Sequence, residues 1–461
     1  MAFFVQNQLF RFSYLLFFLW LTFFISFASF VVFKSYHTFG ILEFPGFWDM
    51  KIQFINLAVP IIFVAYSLAQ EKQQIVLALF WLFQLLFFGI VGLLSTIDPF
   101  PHYLYITAGQ SSLKSAASYS LMAEIVCGAA QLVANARFKD HVIQTSSITP
   151  FQISRLVRRL KLALVWYAAL LPFILQKLGG MSFLFKSSRF EPVSSLPVYL
   201  EAILVSALYA PPLVCLLLQL YLRNFFGFQS KLTILLILWI VILANPLTNA
   251  RQTTLFLVLP IVFIYLQKSR TITNLFFSTL LFILVFLGDI VDRYTGKFQS
   301  PKFAILSRDG NFDAFAQLAN GLTQIQNGAF PLFRQILASI FFFLPRSVWE
   351  NKPYDTGVEL GRLLSLKFQN LSAPWILEVY VNARLPGLIL VSFCFIYYLA
   401  KSSFELDLSL RSWLIASVLF GSLFIVLRGS LLQATGRLTF TICFILLLTR
   451  NISGSRDDSK L

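Results

Sequence analysis

The stretch FSYLLFFLWLTFFISFASFVVF, residues 12–33, carries no charged side chain and is mostly aromatic or aliphatic. A run of this length exceeds the roughly 7 to 15 apolar residues that form the core of a signal peptide, and no convincing cleavage site follows it. It also meets the requirement of about 20 apolar residues for one helical crossing of a bilayer. The stretch therefore predicts a retained first transmembrane helix.

The composition of the whole chain indicates the same class of protein. Hydrophobic residues make up 58% of the 461 residues, phenylalanine alone fills 53 positions, and only 12% of the residues are charged. Soluble domains carry roughly 25% charged residues. We therefore predict an all-α, polytopic integral membrane protein.

Length and hydropathy together predict about twelve spanning helices. The predicted spans are residues 10–33, 53–69, 75–96, 115–134, 161–178, 198–221, 231–247, 252–267, 272–290, 386–400, 411–427 and 431–449. The chain then divides into N-terminal transmembrane helices over 1–289, a long outer segment over 290–385 that would hold the substrate site, and C-terminal transmembrane helices with a short tail over 386–461.

The net charge of +16 comes from loops between apolar segments and not from one face of a helix. The loop over residues 137–161 carries the basic residues Arg137, Lys139, Arg155, Arg158, Arg159 and Lys161. The positive-inside rule makes this side cytoplasmic, so an even number of crossings places both termini in the cytoplasm and residues 290–385 on the outer face. The charge therefore indicates topology and an anionic substrate, and no nucleic-acid partner is expected.

The sequence NFDAFAQLANGLTQIQ, residues 311–326, predicts an amphipathic helix within the outer segment. Its apolar residues recur at spacings of three and four, at Phe312, Phe315, Leu318, Leu322 and Ile325. Asn311 is a plausible cap, and Arg308 lies just before the helix start, where free amides and the positive end of the helix dipole favour anions. An interfacial helix with a snorkelling arginine is an equally good interpretation.

The next apolar run, PLFRQILASIFFFL, spans Pro331–Leu344 and leads directly into FFFLPRSVWENKPYDTG, Phe341–Gly357. As a helix it would reach only about 21 Å, short of the roughly 30 Å hydrocarbon core. We therefore predict a re-entrant or interfacial helix that keeps the following residues on the outer face. A full crossing would instead place residues 346–384 in the cytoplasm.

Several arginines at the outer ends of short helices form a candidate anion site. An arginine inside a bilayer is costly, so one at such a position tends to face protein, water or ligand. The guanidinium fork pairs with phosphate oxygens in a bidentate manner. For each arginine alone, snorkelling to the interface is the alternative. The candidates are Arg251, Arg308, Arg346 and Arg428.

Common cofactor and metal motifs are missing from the sequence. We find no Walker loop, no GxGxxG fingerprint, no HExxH and no D-x-D triplet, and the three histidines lie far apart. We therefore expect no metal and no cofactor. A substrate of this protein, if it is an enzyme, would arrive already activated, through the membrane.

The second half of the chain resembles the oligosaccharide repeat-unit polymerases, the Wzy-type O-antigen and exopolysaccharide polymerases. The most specific element is the pattern P-R-x-x-W-x-x-K-P-x-x-x-G over Pro345–Gly357. The other elements, in chain order, are NPLTNAR, RDGNFDAF, SAPWILEVYVNARLPG and LRGSL. The N-terminal half supports the resemblance only through its number of helices.

The resemblance implies a glycosyltransferase of the bacterial inner membrane, similar to the C-type architecture, with an active site that opens to the periplasm. Such enzymes move a growing glycan from undecaprenyl diphosphate onto an incoming lipid-linked repeat unit, without nucleotide or metal. The implied partners are the lipid-linked donor and acceptor, membrane lipids, and possible accessory proteins, namely a chain-length regulator and a flippase.

The resemblance also implies roles for individual residues. The diphosphate or glycan ligands would be Arg251, Arg308, Arg346, Lys352 and Arg428. Arg346 would also stabilise charge that develops on the leaving diphosphate. Glu378 is the first choice for the general base. Asp313 and Asp355 are the next choices for the base, and both are also counted among the substrate-binding residues. An equally good interpretation makes Glu378 an ion-pair partner of Arg384 or Arg362.

Two other functions fit the same residues. A flippase or transporter for the lipid-linked oligosaccharide would line a cavity with arginines without catalysing a reaction, although no internal repeat is visible. An O-antigen ligase would share the donor and most of the cationic residues.

Overall fold

The computed structural model describes nine parts of the chain, all of them built from helices, turns and loops. They are residues 47–70, 74–97, 110–138, 149–185, 198–245, 251–280, 312–366, 371–405 and 410–450. No strand occurs within these parts. The all-α prediction is confirmed for them.

Fifteen α-helices, numbered in chain order, make up most of the described structure. They are α1 (Phe47–Ala69), α2 (Ile75–Gln84), α3 (Val91–Ile97), α4 (Gln110–Phe138), α5 (Pro150–Leu178), α6 (Ser182–Phe185), α7 (Val198–Phe226), α8 (Leu232–Leu243), α9 (Arg251–Leu266), α10 (Ala314–Gln326), α11 (Arg334–Ile340), α12 (Thr356–Leu363), α13 (Trp375–Glu405), α14 (Leu410–Arg428) and α15 (Leu431–Leu448). A π-helical segment, Leu85–Ile90, joins α2 to α3, and residues 270–280 are also helical.

Eight helices in the described residues are long and apolar enough to cross a membrane. They are Lys51–Ala69, Ile75–Thr96, Ser111–Phe138, Pro150–Leu178, Leu200–Phe226, Trp375–Phe404, Leu410–Arg428 and Leu431–Leu448. Two shorter apolar helices, Leu232–Leu243 and Gln252–Leu266, fall where the seventh and eighth spans were predicted. The predicted span 10–33 lies outside the described residues, and 272–290 lies only partly within them. The polytopic class is therefore confirmed, and the total of twelve is not.

Contacts between basic side chains and helix ends define one end of the bundle. Arg159 donates to the carbonyl of Leu448 at 3.1 Å, and Arg270 donates to the carbonyl of Ala69 at 2.7 Å. Other contacts at this end join Lys268 to Asn224, Trp413 to Gln267 and Arg411 to Thr449. We call this the basic end. Because α9 and α15 finish there and α14 begins there, the start of α9, the end of α14 and the start of α15 lie at the opposite end.

The helix over Ile75–Thr96 is the centre of the bundle. It is buried along its whole length, which a spanning helix achieves only when other helices shield it from lipid. Aromatic rings fill the surrounding space: Trp81 stacks on Phe63 with ring centroids 4.6 Å apart, and Phe83 stacks on Phe87 at 4.2 Å. Such pairs stabilise beyond the area they bury, and they explain part of the high phenylalanine content.

The outer segment differs from its prediction in three places. The predicted amphipathic helix is confirmed as α10, but every residue from Ala314 to Leu322 is buried, so the interfacial interpretation is wrong. Asp313 occupies the N-cap position, while Asn311 lies outside the described residues. Of the run Pro331–Leu344, only α11 is α-helical, with turns after it. Finally, α13 begins at Trp375 and not at residue 386.

A kink in α13 fixes the position of α11. Arg384 has φ 53° and ψ −152° inside the helix, and Pro386 follows. Because proline has no N–H, the carbonyl four residues earlier, at Asn382, is left without its helical donor. The amide of Phe333 supplies that donor at 3.0 Å, and the Asn382 side chain accepts from the amide of Ile336 at 2.8 Å. The chain that leads into α11 therefore docks on the kink.

The guanidinium of Arg384 holds the same kink from the other side. It donates to the carbonyls of Tyr380 at 3.1 Å, Val381 at 2.7 Å and Phe330 at 2.7 Å. Three backbone acceptors therefore compensate a backbone conformation that glycine alone adopts without strain. The kink joins the first three turns of α13 to the loop before α11.

Glycine and alanine at position 384 should have different stabilities although both remove the guanidinium. Arg384→Gly relieves the strained φ and ψ, whereas Arg384→Ala retains the strain, so we expect the glycine variant to be more stable by about 1 to 3 kcal/mol. Thermal melting of the two purified variants in one detergent measures the difference. Equal melting midpoints would show that the backbone at Arg384 is not strained.

Candidate functional site

Five segments meet at the end of the bundle opposite the basic end. They are the start of α10, residues 371–374, the first turn of α13, the end of α14 and the start of α15. Asp313 precedes α10 and is buried. It accepts hydrogen bonds from the Ser372 amide at 3.2 Å and from the Ser372 hydroxyl. Arg428, at the end of α14, lies 3.5 Å from the Asp313 carboxylate. Asp313 therefore joins α10, residues 371–374 and α14.

Glu378 lies in the first turn of α13, and its side chain is only 5% exposed. One carboxylate oxygen, Oε1, accepts from the amide of Leu431 at 3.1 Å. That amide begins α15, where free N–H groups and the helix dipole favour a negative charge. The other oxygen, Oε2, is buried next to the Thr356 hydroxyl, with which the carboxylate interacts. The contact does not have the geometry of a normal hydrogen bond, and among the described residues neither atom makes another one. Glu378 is therefore held by a normal hydrogen bond at one oxygen and only by the Thr356 contact at the other.

Asp355 ends the PRSVWENKPYD motif and begins α12. Its Oδ1 accepts from the amide of Val358 at 2.9 Å, as an N-cap does, and its Oδ2 accepts from the Gln433 side chain at 3.0 Å. Gly357 is the second residue of α12, and a Cβ at this position would lie only 2.1 Å from the carbonyl oxygen of Leu371. The close approach of α12 to residues 371–374 therefore requires glycine.

The junction between α14 and α15 contacts all three acids. The carbonyl of Arg428 accepts from the amide of Ala373 at 3.0 Å, and Ser430 caps α15 by accepting from the amide of Gln433 at 3.3 Å. We call Asp313, Asp355 and Glu378 the junction acids, because residues of this junction bind each of them. The structure therefore brings together Glu378, Asp313, Asp355 and Arg428 from the set predicted by the sequence.

The ammonium group of Lys352 binds backbone carbonyls of its own loop. Its ammonium group donates to the carbonyls of Phe341 at 3.1 Å, Phe342 at 2.9 Å and Leu344 at 2.8 Å. The side chain is 7% exposed, and burial, followed by the nearby charge of Arg346, lowers the pKa of Lys352. All three protons of the ammonium group are therefore used to close the turns after α11, which favours a structural role over phosphate binding.

Arg346 also donates to its own loop, but it keeps an aromatic contact at the surface. Its guanidinium donates to the carbonyls of Lys352 and, at 3.1 Å, of Pro353. It lies 3.8 Å from the ring centroid of Tyr354, and Arg362 lies 3.5 Å from the same centroid. A hydrogen bond from Arg362 and then the two positive charges lower the pKa of Tyr354. Arg346 and Arg362 thus form a positively charged surface around Tyr354, the residue before Asp355.

The structure does not describe the side chains of the other two predicted arginine ligands, Arg308 and Arg251. Arg308 lies outside the described residues, and Arg251 is described only as the first residue of α9, without its side chain. The alternative interpretation of Glu378 as an ion-pair partner of Arg384 does not hold, because the Arg384 guanidinium donates to three carbonyls. Arg362, the other suggested partner, lies against Tyr354.

Arg437 is a candidate that the sequence analysis missed. It lies inside the spanning helix α15, and its Nη1 donates to the hydroxyl of Thr253 at 3.0 Å. The sequence does contain a signal for it, namely a charged residue within the predicted span 431–449. A charge inside a membrane span is energetically costly and therefore points to a function. Among the described residues, no three His, Cys, Asp or Glu side chains are placed to share a metal ion.

Comparison with known proteins identified no relative of the chain. No family model, curated protein or solved structure matches the chain significantly.

Proposed function

We propose that the chain polymerises oligosaccharide repeat units carried on undecaprenyl diphosphate, at the outer face of the bacterial inner membrane. The observation that carries the proposal is Glu378, a buried carboxylate that is oriented by the Leu431 amide and whose second oxygen, beside the Thr356 hydroxyl, makes no hydrogen bond of normal geometry in the described residues. A general base needs this combination of fixed position and an available acceptor. Arg428, paired with Asp313 in the same layer, supplies positive charge.

The reaction follows from these groups. An acceptor sugar hydroxyl attacks the anomeric carbon of the donor glycan, and its proton passes to Glu378. The bond between that carbon and the lipid diphosphate breaks, and the diphosphate leaves with the electron pair. Preorganised cations lower the barrier because negative charge develops on the leaving group. No metal and no nucleotide enters this sequence of steps.

The same proposal includes the finer topology. Twelve crossings with both termini in the cytoplasm place the basic end in the cytoplasm and the junction acids at the periplasmic face, as the positive-inside rule expects. The architecture is then similar to that of C-type glycosyltransferases. Support comes from the contacts that gather basic side chains at one end of the bundle and the junction acids at the other.

Deleting the gene in its source bacterium tests the function. We expect surface polysaccharide with a single repeat unit on a gel, because donor units still reach the outer face but are not joined. Complete loss of surface glycan would identify a flippase instead, and free full-length polymer would identify a ligase. Restoration of the wild-type ladder by the plasmid-borne gene is the control.

A further inference from the structure

The backbone of Thr356 is held on both sides within the candidate site. Thr356 is the first residue of α12 and is only 1% exposed. Asp355 before it binds the side chain of Gln433 at the start of α15, and Gly357 after it packs so closely on the carbonyl oxygen of Leu371 that no Cβ fits. The two neighbours tie this point of α12 to two other segments, so the Thr356 hydroxyl has a fixed place in the site.

That place is beside the carboxylate of the proposed base. The Thr356 hydroxyl contacts the carboxylate of Glu378, whose Oε1 already accepts from the amide of Leu431. The hydroxyl and Oε2 are both buried, and in the described residues neither makes a hydrogen bond of normal geometry. The hydroxyl is a donor that rotates freely and Oε2 is an acceptor, so each can satisfy the other.

Neither the helix nor its packing requires a hydroxyl at position 356. The N-cap of α12 is Asp355, which accepts from the amide of Val358, so no second capping side chain is needed. Valine has nearly the shape of threonine, and in a buried position it avoids the cost of an unsatisfied polar group. A threonine here therefore indicates a role for the hydroxyl itself, and its contact with Glu378 shows where that role lies.

A general base that is fixed at one oxygen is not fully oriented. The terminal torsion of a glutamate side chain is broad, so the Leu431 amide alone lets the carboxylate of Glu378 swing about Oε1. Catalytic groups have to be held to within about 0.5 Å and about 10 to 20° of the productive geometry. A hydrogen bond from Thr356 to Oε2 fixes the plane of the carboxylate and leaves the other lone pair of Oε2 for the acceptor.

We propose that Thr356 is a positioning residue, whose hydroxyl donates to Oε2 of Glu378 and aims that oxygen at the acceptor hydroxyl. The inference rests on the proposed function, for which it adds the group that orients the base. When the proton of the acceptor hydroxyl moves to Glu378, the Thr356 hydroxyl turns and accepts from the new carboxylic acid, because a hydroxyl both donates and accepts. The acid then loses its proton to water, and the hydroxyl donates again.

Thr356→Val and Thr356→Ser separate the hydroxyl from the shape of the side chain. With the purified full-length chain in liposomes and labelled lipid-linked repeat units, Thr356→Val should lower kcat about 10-fold to 100-fold, the contribution of one hydrogen bond to a charged group. The KM should stay unchanged, because the hydroxyl acts on the base and not on the substrate. Thr356→Ser keeps the hydroxyl and should retain most of the wild-type kcat, and Thr356→Val should melt no lower than the wild type.

A double-substitution cycle shows whether Thr356 acts through Glu378. In the Glu378→Gln background the base is already absent, so Thr356→Val should cause no further loss, whereas two independent effects would multiply. Thr441→Val is the matched control. Thr441 is also buried, and its hydroxyl donates to the carbonyl of Arg437 at 2.7 Å, about 15 Å along α15 from Leu431. This variant should polymerise like the wild type.

Three results would overturn the inference. The first is a wild-type kcat of Thr356→Val, and the second is a Thr356→Ser variant as slow as Thr356→Val. The third is a full further loss when Thr356→Val is added to Glu378→Gln. Each of these leaves the polymerase intact, because the deletion strain and Glu378→Gln report on it separately. A wild-type ladder from the deletion strain would instead refute the proposed function itself.

Discussion

Replacing Glu378 with glutamine is expected to lower polymerisation by about 100-fold to 10,000-fold, the usual contribution of a general base. Glutamine has the same shape, and its carbonyl oxygen can still accept from the Leu431 amide, so α13 and α15 should stay together. The amide group cannot take the proton of the acceptor hydroxyl. Chain length on gels and incorporation of labelled repeat units by membranes measure the loss.

Glu124→Gln is the matched control for that experiment. Glu124 is also a fully buried glutamate of a spanning helix. Tyr119, five residues before Glu124, contacts Tyr380, two residues after Glu378, and Cys127 lies against Ser392. The two helices therefore run in the same direction, and Glu124 lies about 10 Å further toward the basic end than Glu378. The control should therefore polymerise normally. Normal polymerisation by Glu378→Gln, at wild-type protein levels, would remove Glu378 from the catalytic site.

Replacing Lys352 with methionine should destabilise the protein rather than weaken substrate binding. The change leaves the three carbonyls after α11 without their donor, and each buried acceptor left unsatisfied costs about 1 to 3 kcal/mol. Phe341 is exposed, so water can reach part of this turn, and we expect a total loss of about 3 kcal/mol. A lower melting midpoint of the purified variant would measure it.

The control is Lys161→Met, which removes the charge of an exposed lysine on α5 and should melt like the wild type. The competing interpretation of Lys352 is the one that the sequence favoured, a diphosphate ligand. It would hold if Lys352→Met melted normally but lost the melting shift caused by undecaprenyl diphosphate. The two measurements on one variant therefore decide between the roles.

The spanning helices were predictable because a bilayer crossing depends on local properties. Length and hydropathy located the helix over Ile75–Thr96 within a residue of its observed end. They did not reveal that this helix is completely buried, because burial depends on which helices surround it. The same limit applies to α10, whose period predicted a helix but whose interfacial placement was wrong.

The candidate site was predictable only in part, for a related reason. Glu378 and Asp313 were named from motifs, but their partners Leu431 and Ser372 are distant in sequence, and only folding brings them together. For the arginines the sequence analysis weighed only a ligand or snorkelling to the interface, and for Lys352 only a ligand. Backbone carbonyls compete for those donors, and at Lys352 they take all three.

The junction between α14 and α15 also acts as a molecular spacer. Within residues 428–433 the chain contacts Asp313, then Glu378, then Asp355. Inserting one residue here would rotate α15 by about 100° and shift it by about 1.5 Å, so the contacts to Glu378 and Asp355 would be lost at once. The number of residues in this hairpin therefore sets the distances between the acids, and its length is a stricter requirement than the chemistry of its side chains.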